Sequence, residues 1–193
     1  MIDVHCHLEQ EDYEKDRDEV IKGCMNELKA IINSSPYLPH FKKAVVLHQK
    51  YPNFVFNALA IHPIYIEEVT TSKIDEAISF IKNNCQYISA IGETGLDYSH
   101  VKDGKLRARQ REMFIKFIEL ANELRKPLVI HCRDAFDDCI GILEDKGMKN
   151  KKVLMHLFSS KRHIQKIIDN GWSISIGPSI SKSKDIKKIT RDM

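Results

Sequence analysis

Short apolar runs alternate along the chain with longer amphipathic stretches. The runs fall at residues 2–5, 54–61, 88–91, 128–131, 153–156 and 172–176, and each is rich in aliphatic or aromatic side chains. Segments this short with little polar alternation predict parallel strands covered on both faces. Between them the period changes. Over residues 110–125, Met113, Phe114, Phe117, Ile118, Leu120, Ala121 and Leu124 return to one side of a 3.6-residue turn, while Lys116, Glu119 and Glu123 fall elsewhere. A second helix is predicted through Ile74, Ala77, Ile78 and Ile81, with Ser72 as its cap and Asp75 adding acidity to its first turn. A third is predicted to begin near Ser159 and a fourth to span residues 135–143. Strands alternating with helices imply βα units and a parallel sheet, because a parallel neighbour is reached only through a crossover. Periodicity alone leaves open whether that sheet closes into a barrel.

Composition narrows the class. With 193 residues, 42% hydrophobic and 30% charged, the chain is expected to form one globular domain with its own core. No apolar run approaches the roughly 20 residues that span a bilayer, and no basic segment followed by an apolar one opens the chain, so a cytoplasmic location without a membrane partner is expected. Five cysteines, Cys6, Cys24, Cys85, Cys132 and Cys139, include no CxxC pair and read as reduced thiols. A net charge of +3 identifies no nucleic-acid partner. The cluster Lys182, Lys184, Lys187, Lys188 and Arg191 reads as a solvated helix face.

Candidate chemistry lies in the histidines. His5 and His7 end the first run two residues apart, and alternate residues of a strand share a face, so both rings can aim at one point. His131 and His156 close their runs, and His62 follows the run 54–61. In a parallel barrel the C-terminal strand ends share one rim, where catalytic groups converge. Glu93 joins them within Ile91-Gly92-Glu93-Thr94-Gly95-Leu96-Asp97-Tyr98, flanked by glycines expected to allow a tight turn. Imidazoles with a carboxylate suit zinc, manganese, iron or nickel, and a carboxylate can bridge two ions. His40, His48, His100 and His163 lack such placement and are expected to be surface or packing residues.

These segments, with Ala60-Ile61-His62-Pro63, Val129-Ile130-His131-Cys132-Arg133-Asp134-Ala135 and Met155-His156-Leu157-Phe158-Ser159-Ser160, resemble in order the signatures of TatD-type deoxyribonucleases of the amidohydrolase superfamily. The resemblance implies an α/β fold, a TIM-like (β/α)8 barrel, with two divalent ions (Mg, Mn or Zn). It places His5 and His7 on one ion and His131 and His156 on the other, with Glu93 bridging. It also implies an aspartate at the end of an eighth strand. No such motif occurs here, so the chain reads as lacking the eighth strand, either as a fragment or as a natural truncation. Asp185 and Asp192 are poor substitutes on the lysine-rich helical stretch.

The expected reaction is phosphodiester hydrolysis in DNA by a two-metal-activated water, acting on a single strand or strand end as an exonuclease. Glu93 is central to it, His62 is expected to donate to a phosphate oxygen, and Arg133 to clamp one. Asp97 or Tyr98 is expected to shape the substrate mouth. Two rival readings are hydrolysis of a cyclic amide or ester and an inactive metal-binding scaffold.

Overall fold

The computed structural model describes residues 1–192. Seven parallel strands form one sheet in the order β1 to β7: Ile2–Cys6, Ala30–Ser35, Val55–Leu59, Ile88–Asp97, Leu128–Arg133, Val153–Met155 and Ser173–Ile174. A helix follows each strand: α1 (Arg17–Cys24), α2 (Phe41–Lys50), α3 (Thr71–Asn83), α4 (Gly104–Leu124), α5 (Phe136–Asp145), α6 (Ile164–Asp169) and α7 (Lys184–Asp192). Because every strand pairs with its sequence neighbours and the order never reverses, the winding is that of a (β/α) barrel rather than an open doubly wound sheet.

The sheet is strongly curled. Five strand intervals of about 4.8 Å would separate β1 and β6 by about 24 Å if the sheet were flat. Yet the rings of His5 and His156, carried at the ends of those two strands, stack with centroids 3.7 Å apart. Small residues line the inside of the curl, where Ala58, Ala90 and Val129 pack with Ile32 and Leu154. Between sheet and helices lies the main core, including Ile61, Ile81, Leu96, Phe114, Phe117, Ile130 and Ile140. Among the described residues no strand pairs with the outer edges of β1 and β7, and Ile2 and Val4 on β1 are 53% and 44% exposed.

Every predicted strand is present, with shifted ends. β4 runs six residues past its predicted end, and β7 keeps only two residues of its run. One strand was not foreseen: β2 ends in Asn33-Ser34-Ser35, a polar triplet that reads as loop but is fully buried. Helix α4 buries Met113, Phe114, Phe117, Ile118, Leu120 and Ala121 as the periodicity predicts. Asp103 caps it, accepting from the backbone N–H groups of Lys105 and Leu106 at 2.8 and 2.9 Å. The cap of α3 is Thr70, not Ser72, which lies inside the helix; Thr70 Oγ1 accepts from Lys73 N. The helix expected near Ser159 begins as a 3-10 turn at Lys161–His163. On α7 the lysines face solvent while Ile186 and Ile189 are buried, as a solvated helix face requires. No helix of the described residues is long and apolar enough to cross a membrane. All five cysteines are free.

Candidate metal centre

The two glycines beside Glu93 serve a different end from the tight turn expected of them. β4 continues to Asp97, with an irregularity in its pairing with β5 between Ile91 and Thr94, and a side chain at either glycine would strike β5. A Cβ at Gly92 would lie 2.6 Å from the carbonyl oxygen of Val129, and one at Gly95 only 2.0 Å from that of His131, with φ of +154° and +142°. Bare backbone at both positions lets β4 press against β5, and this brings Glu93 and His131 together.

Around Glu93 the strand ends converge. Its Oε2 lies 3.3 Å from His5 Nε2, and its Oε1 lies 3.3 Å from His131 Nδ1. His7 Nε2 is 3.2 Å from His5 Nε2. His156 stacks on His5, and the rings of His62 and His131 meet edge to face with centroids 4.2 Å apart. Donor atoms within 4.8 Å of one another form two sets among the described residues, His5 with Glu93 and His156, and His62 with Glu93 and His131. Both sets contain Glu93. All five residues expected to ligate metal, with His62, therefore meet at one end of the sheet. Arg133 ends β5 on the same rim, with its side chain exposed.

Neighbouring groups decide which ring nitrogen each histidine presents. His7 Nδ1 donates to the carbonyl of Ser34 at 2.5 Å, which turns Nε2 towards His5 and the centre. His156 Nδ1 is paired with the Ser175 hydroxyl at 3.1 Å. His62 caps the 3-10 turn Pro63–Glu67 by accepting the N–H of Ile64 on Nδ1 at 3.2 Å, so the neutral ring carries its proton on Nε2 and is a donor there. The loop after His7 is tied down by Asn33 of β2, whose Oδ1 accepts from Leu8 N at 2.7 Å.

Electrostatics prepare these groups for a cation. Burial lowers the pKa of His5 to about 4 and that of His62 to about 3, so both are neutral near pH 7. Burial also lowers His156. Burial would raise the pKa of Glu93, but the neighbouring rings of His131, His5, His62 and His156 outweigh it and hold it down to about 2. For His131, burial is overcome by Asp97 and Glu93, and its pKa rises to about 9. His5 Nδ1 and Glu93 Oε1 are buried without a hydrogen-bond partner. Such orphaned atoms on soft and hard donors at a shared carboxylate fit a divalent cation.

Asp97 does not line a mouth. It is fully buried and accepts from His131 Nε2 at 2.9 Å. His100, expected to be peripheral, also bonds Asp97, through both its backbone N and its ring. Tyr98 is half-buried and donates to Asp138 at 2.6 Å. His163 is a packing residue, buried between Ser160 and Asp137. Gln110 carries no signal in the sequence, where its position merely opens a helical repeat; it too is fully buried, beside Asp97.

The model of the family described as TatD related DNase matches residues 2–193. Human deoxyribonuclease TATDN3 is 30% identical over all of this chain and 73% of its own length. An uncharacterized metal-dependent hydrolase of Methanocaldococcus jannaschii, MJ1582, is 34% identical with the same coverage. Among solved structures, a TatD family hydrolase from Entamoeba histolytica superposes with a TM-score of 0.88 at 24% identity, over 100% of this chain and 70% of that one. The TatD homolog YJJV from Escherichia coli K12 gives 0.89 at 20% identity, over 100% and 74%, and these two likenesses speak to the barrel-type fold alone. Family model, relatives and clustered ligands agree: the chain belongs to the TatD related DNase family and is a metal-dependent hydrolase acting on ester bonds.

Proposed function

We propose that the chain hydrolyses phosphodiester bonds in DNA as an exonuclease working from a strand end, at a centre of two divalent ions held by His5, His7, Glu93, His131 and His156. The observation that carries this reading is Glu93, a buried carboxylate with one oxygen against His5 and the other against His131, shared by two sets of donor atoms. A single carboxylate facing ligands on both sides is the arrangement of a bridge. Bound Mg, Mn or Zn ions supply Lewis acidity and an activated water for attack on phosphorus. The human relative's name, deoxyribonuclease, supports DNA as the substrate.

The chain's own residues supply the rest. His62, neutral and with its proton on Nε2, donates to a phosphate oxygen; this agrees better with its Ile64 contact than a ligand role does. Arg133, exposed on the rim, pairs with a backbone phosphate through two N–H groups. Contacts of this kind grip any sequence, so cleavage is expected to show little base preference.

The test uses single-stranded oligonucleotides labelled at the 3′ or 5′ end, incubated with Mg²⁺ or Mn²⁺. Stepwise release of nucleotides from one end is expected, with full loss on chelation. Turnover of a cyclic amide such as a dihydropyrimidine with none of DNA would overturn the reading, as would stoichiometric metal uptake with no hydrolysis.

A further inference from the structure

Asp97 stands at the end of β4 with its side chain entirely out of solvent. A buried carboxylate is costly unless its oxygens are satisfied. Here they are: Oδ2 accepts from His131 Nε2 at 2.9 Å and from His100 Nδ1 at 2.8 Å, and Oδ1 accepts from the backbone N of His100 at 2.8 Å. The main chain of Asp97 is held as firmly. Its N–H donates to Gln110 Oε1 at 3.1 Å, and its carbonyl accepts from Gln110 Nε2 at 3.4 Å. The same amide nitrogen donates to the carbonyl of Pro63, next to His62, at 2.9 Å. One buried glutamine on α4 thus ties the end of β4 to the loop that carries His62.

Register explains how Asp97 reaches its partner. Gly95 lies opposite His131 in the β4–β5 ladder and Asp97 lies opposite Arg133. Residues 95 and 97 point to the same face of the strand. With no side chain at 95, nothing stands between the Asp97 carboxylate and the His131 ring. That ring is bracketed by two carboxylates on different nitrogens, Glu93 on Nδ1 at 3.3 Å and Asp97 on Nε2 at 2.9 Å.

We propose that Asp97, locked by Gln110, is a positioning residue for His131: by accepting a hydrogen bond from Nε2–H it fixes the ring so that Nδ1 is the nitrogen presented to the metal centre. This rests on the metal-centre reading above. The consequence is specific, since His7 is held by a carbonyl on Nδ1 and presents Nε2, so the two histidines offer opposite nitrogens. A carboxylate behind a metal-bound imidazole orients it and raises its basicity, and removing such a partner typically weakens metal binding about 10- to 100-fold.

The experiment is calorimetric titration of the metal-free chain with Zn²⁺, comparing wild type with Asp97→Asn. The expected result is a 10- to 100-fold weaker association for the variant. A second measurement needs no Asp97 variant: in Zn²⁺-loaded wild type carrying ¹⁵N-histidine, with His131 assigned by loss of its signals in His131→Gln, Nε2 should retain its proton and Nδ1 should shift as a metal-bound nitrogen. Unchanged Zn²⁺ affinity in a folded Asp97→Asn chain overturns the positioning role, and so does coordination of His131 through Nε2. Failure of the wild type to bind Zn²⁺ would instead overturn the metal centre itself.

Discussion

The two halves of the candidate centre are built to different standards. Glu93, His131 and His62 come from the central strands β3 to β5, where Gly92 and Gly95 let β4 press on β5 and where Asp97 and Gln110 clamp the ends from behind. His5, His7 and His156 come from β1 and β6, the first an edge strand among the described residues and the second bordered on its outer side by the two-residue β7 alone. Their supports are a carbonyl, a hydroxyl and one another, and His5 Nδ1 has no partner at all. The contrast teaches that the inner half is pre-set by neighbouring backbone. The outer half depends on the curl of the sheet to bring β1 and β6 into contact, and so gains more from a cation bound between them.

Glu93 belongs to both halves, so its loss erases the distinction. Glu93→Ala is expected to remove bound metal and turnover together, measured by elemental analysis and by cleavage of labelled DNA. Retention of the full metal content would contradict a bridging role. Next in size, Gly95→Ala attacks the inner half alone. The new Cβ would fall 2.0 Å from the His131 carbonyl at a φ of +142°. A destabilisation of about 3 kcal/mol or more is expected in urea unfolding. Substitution at Gly104, where a Cβ meets nothing within 4 Å, provides the neutral comparison.

His62→Ala separates donor from ligand within the inner half. Removing one donor to a phosphate oxygen should lower kcat by about 10²- to 10³-fold while metal content is kept. Equal loss of metal would make His62 a ligand. The smallest effect expected is on the pH dependence of stability in the metal-free chain. His131 is raised from 6.5 to about 9, so its contribution is complete below pH 6.5 and disappears as the pH climbs through 9. Glu93 is lowered from 4.5 to about 2, so its contribution is present above pH 4.5 and disappears as the pH falls towards 2. His5 and His62 are lowered from 6.5 to about 4 and about 3, so their contributions are present above pH 6.5 and disappear as the pH falls below it. Thermal unfolding should therefore show a maximum near pH 6.5, with an acid decline below it and an alkaline decline worth up to about 3 kcal/mol. Saturating Zn²⁺ should flatten the alkaline limb, because the cation favours the ring without its proton.

Much of this molecule is legible along the chain. Apolar runs mark six of the seven strands, and the repeat of Met113, Phe114, Phe117 and Leu120 marks the long helix α4, because burial of one face imposes its period on neighbouring residues. Histidines at the ends of those runs are enough to place a shared rim. β2 is not legible because its end, Asn33, Ser34 and Ser35, is polar yet fully buried, Asn33 through its bonds to Leu8 N and Asn57, and local pattern cannot distinguish that from a loop.

The residue types at the strand ends, and their order, were thus determined by sequence alone: they follow from short-range periodicity and from which side chains can bind a cation. Only the tertiary structure decided which nitrogen each ring presents, that Asp97 is buried behind His131 rather than open to substrate, and that Gln110 joins it to the His62 loop. Apart from the contact of His62 with Ile64, these depend on contacts between residues 13 to 47 positions apart. Such distances are set by strand register and by the curl of the sheet, which no local stretch of residues encodes.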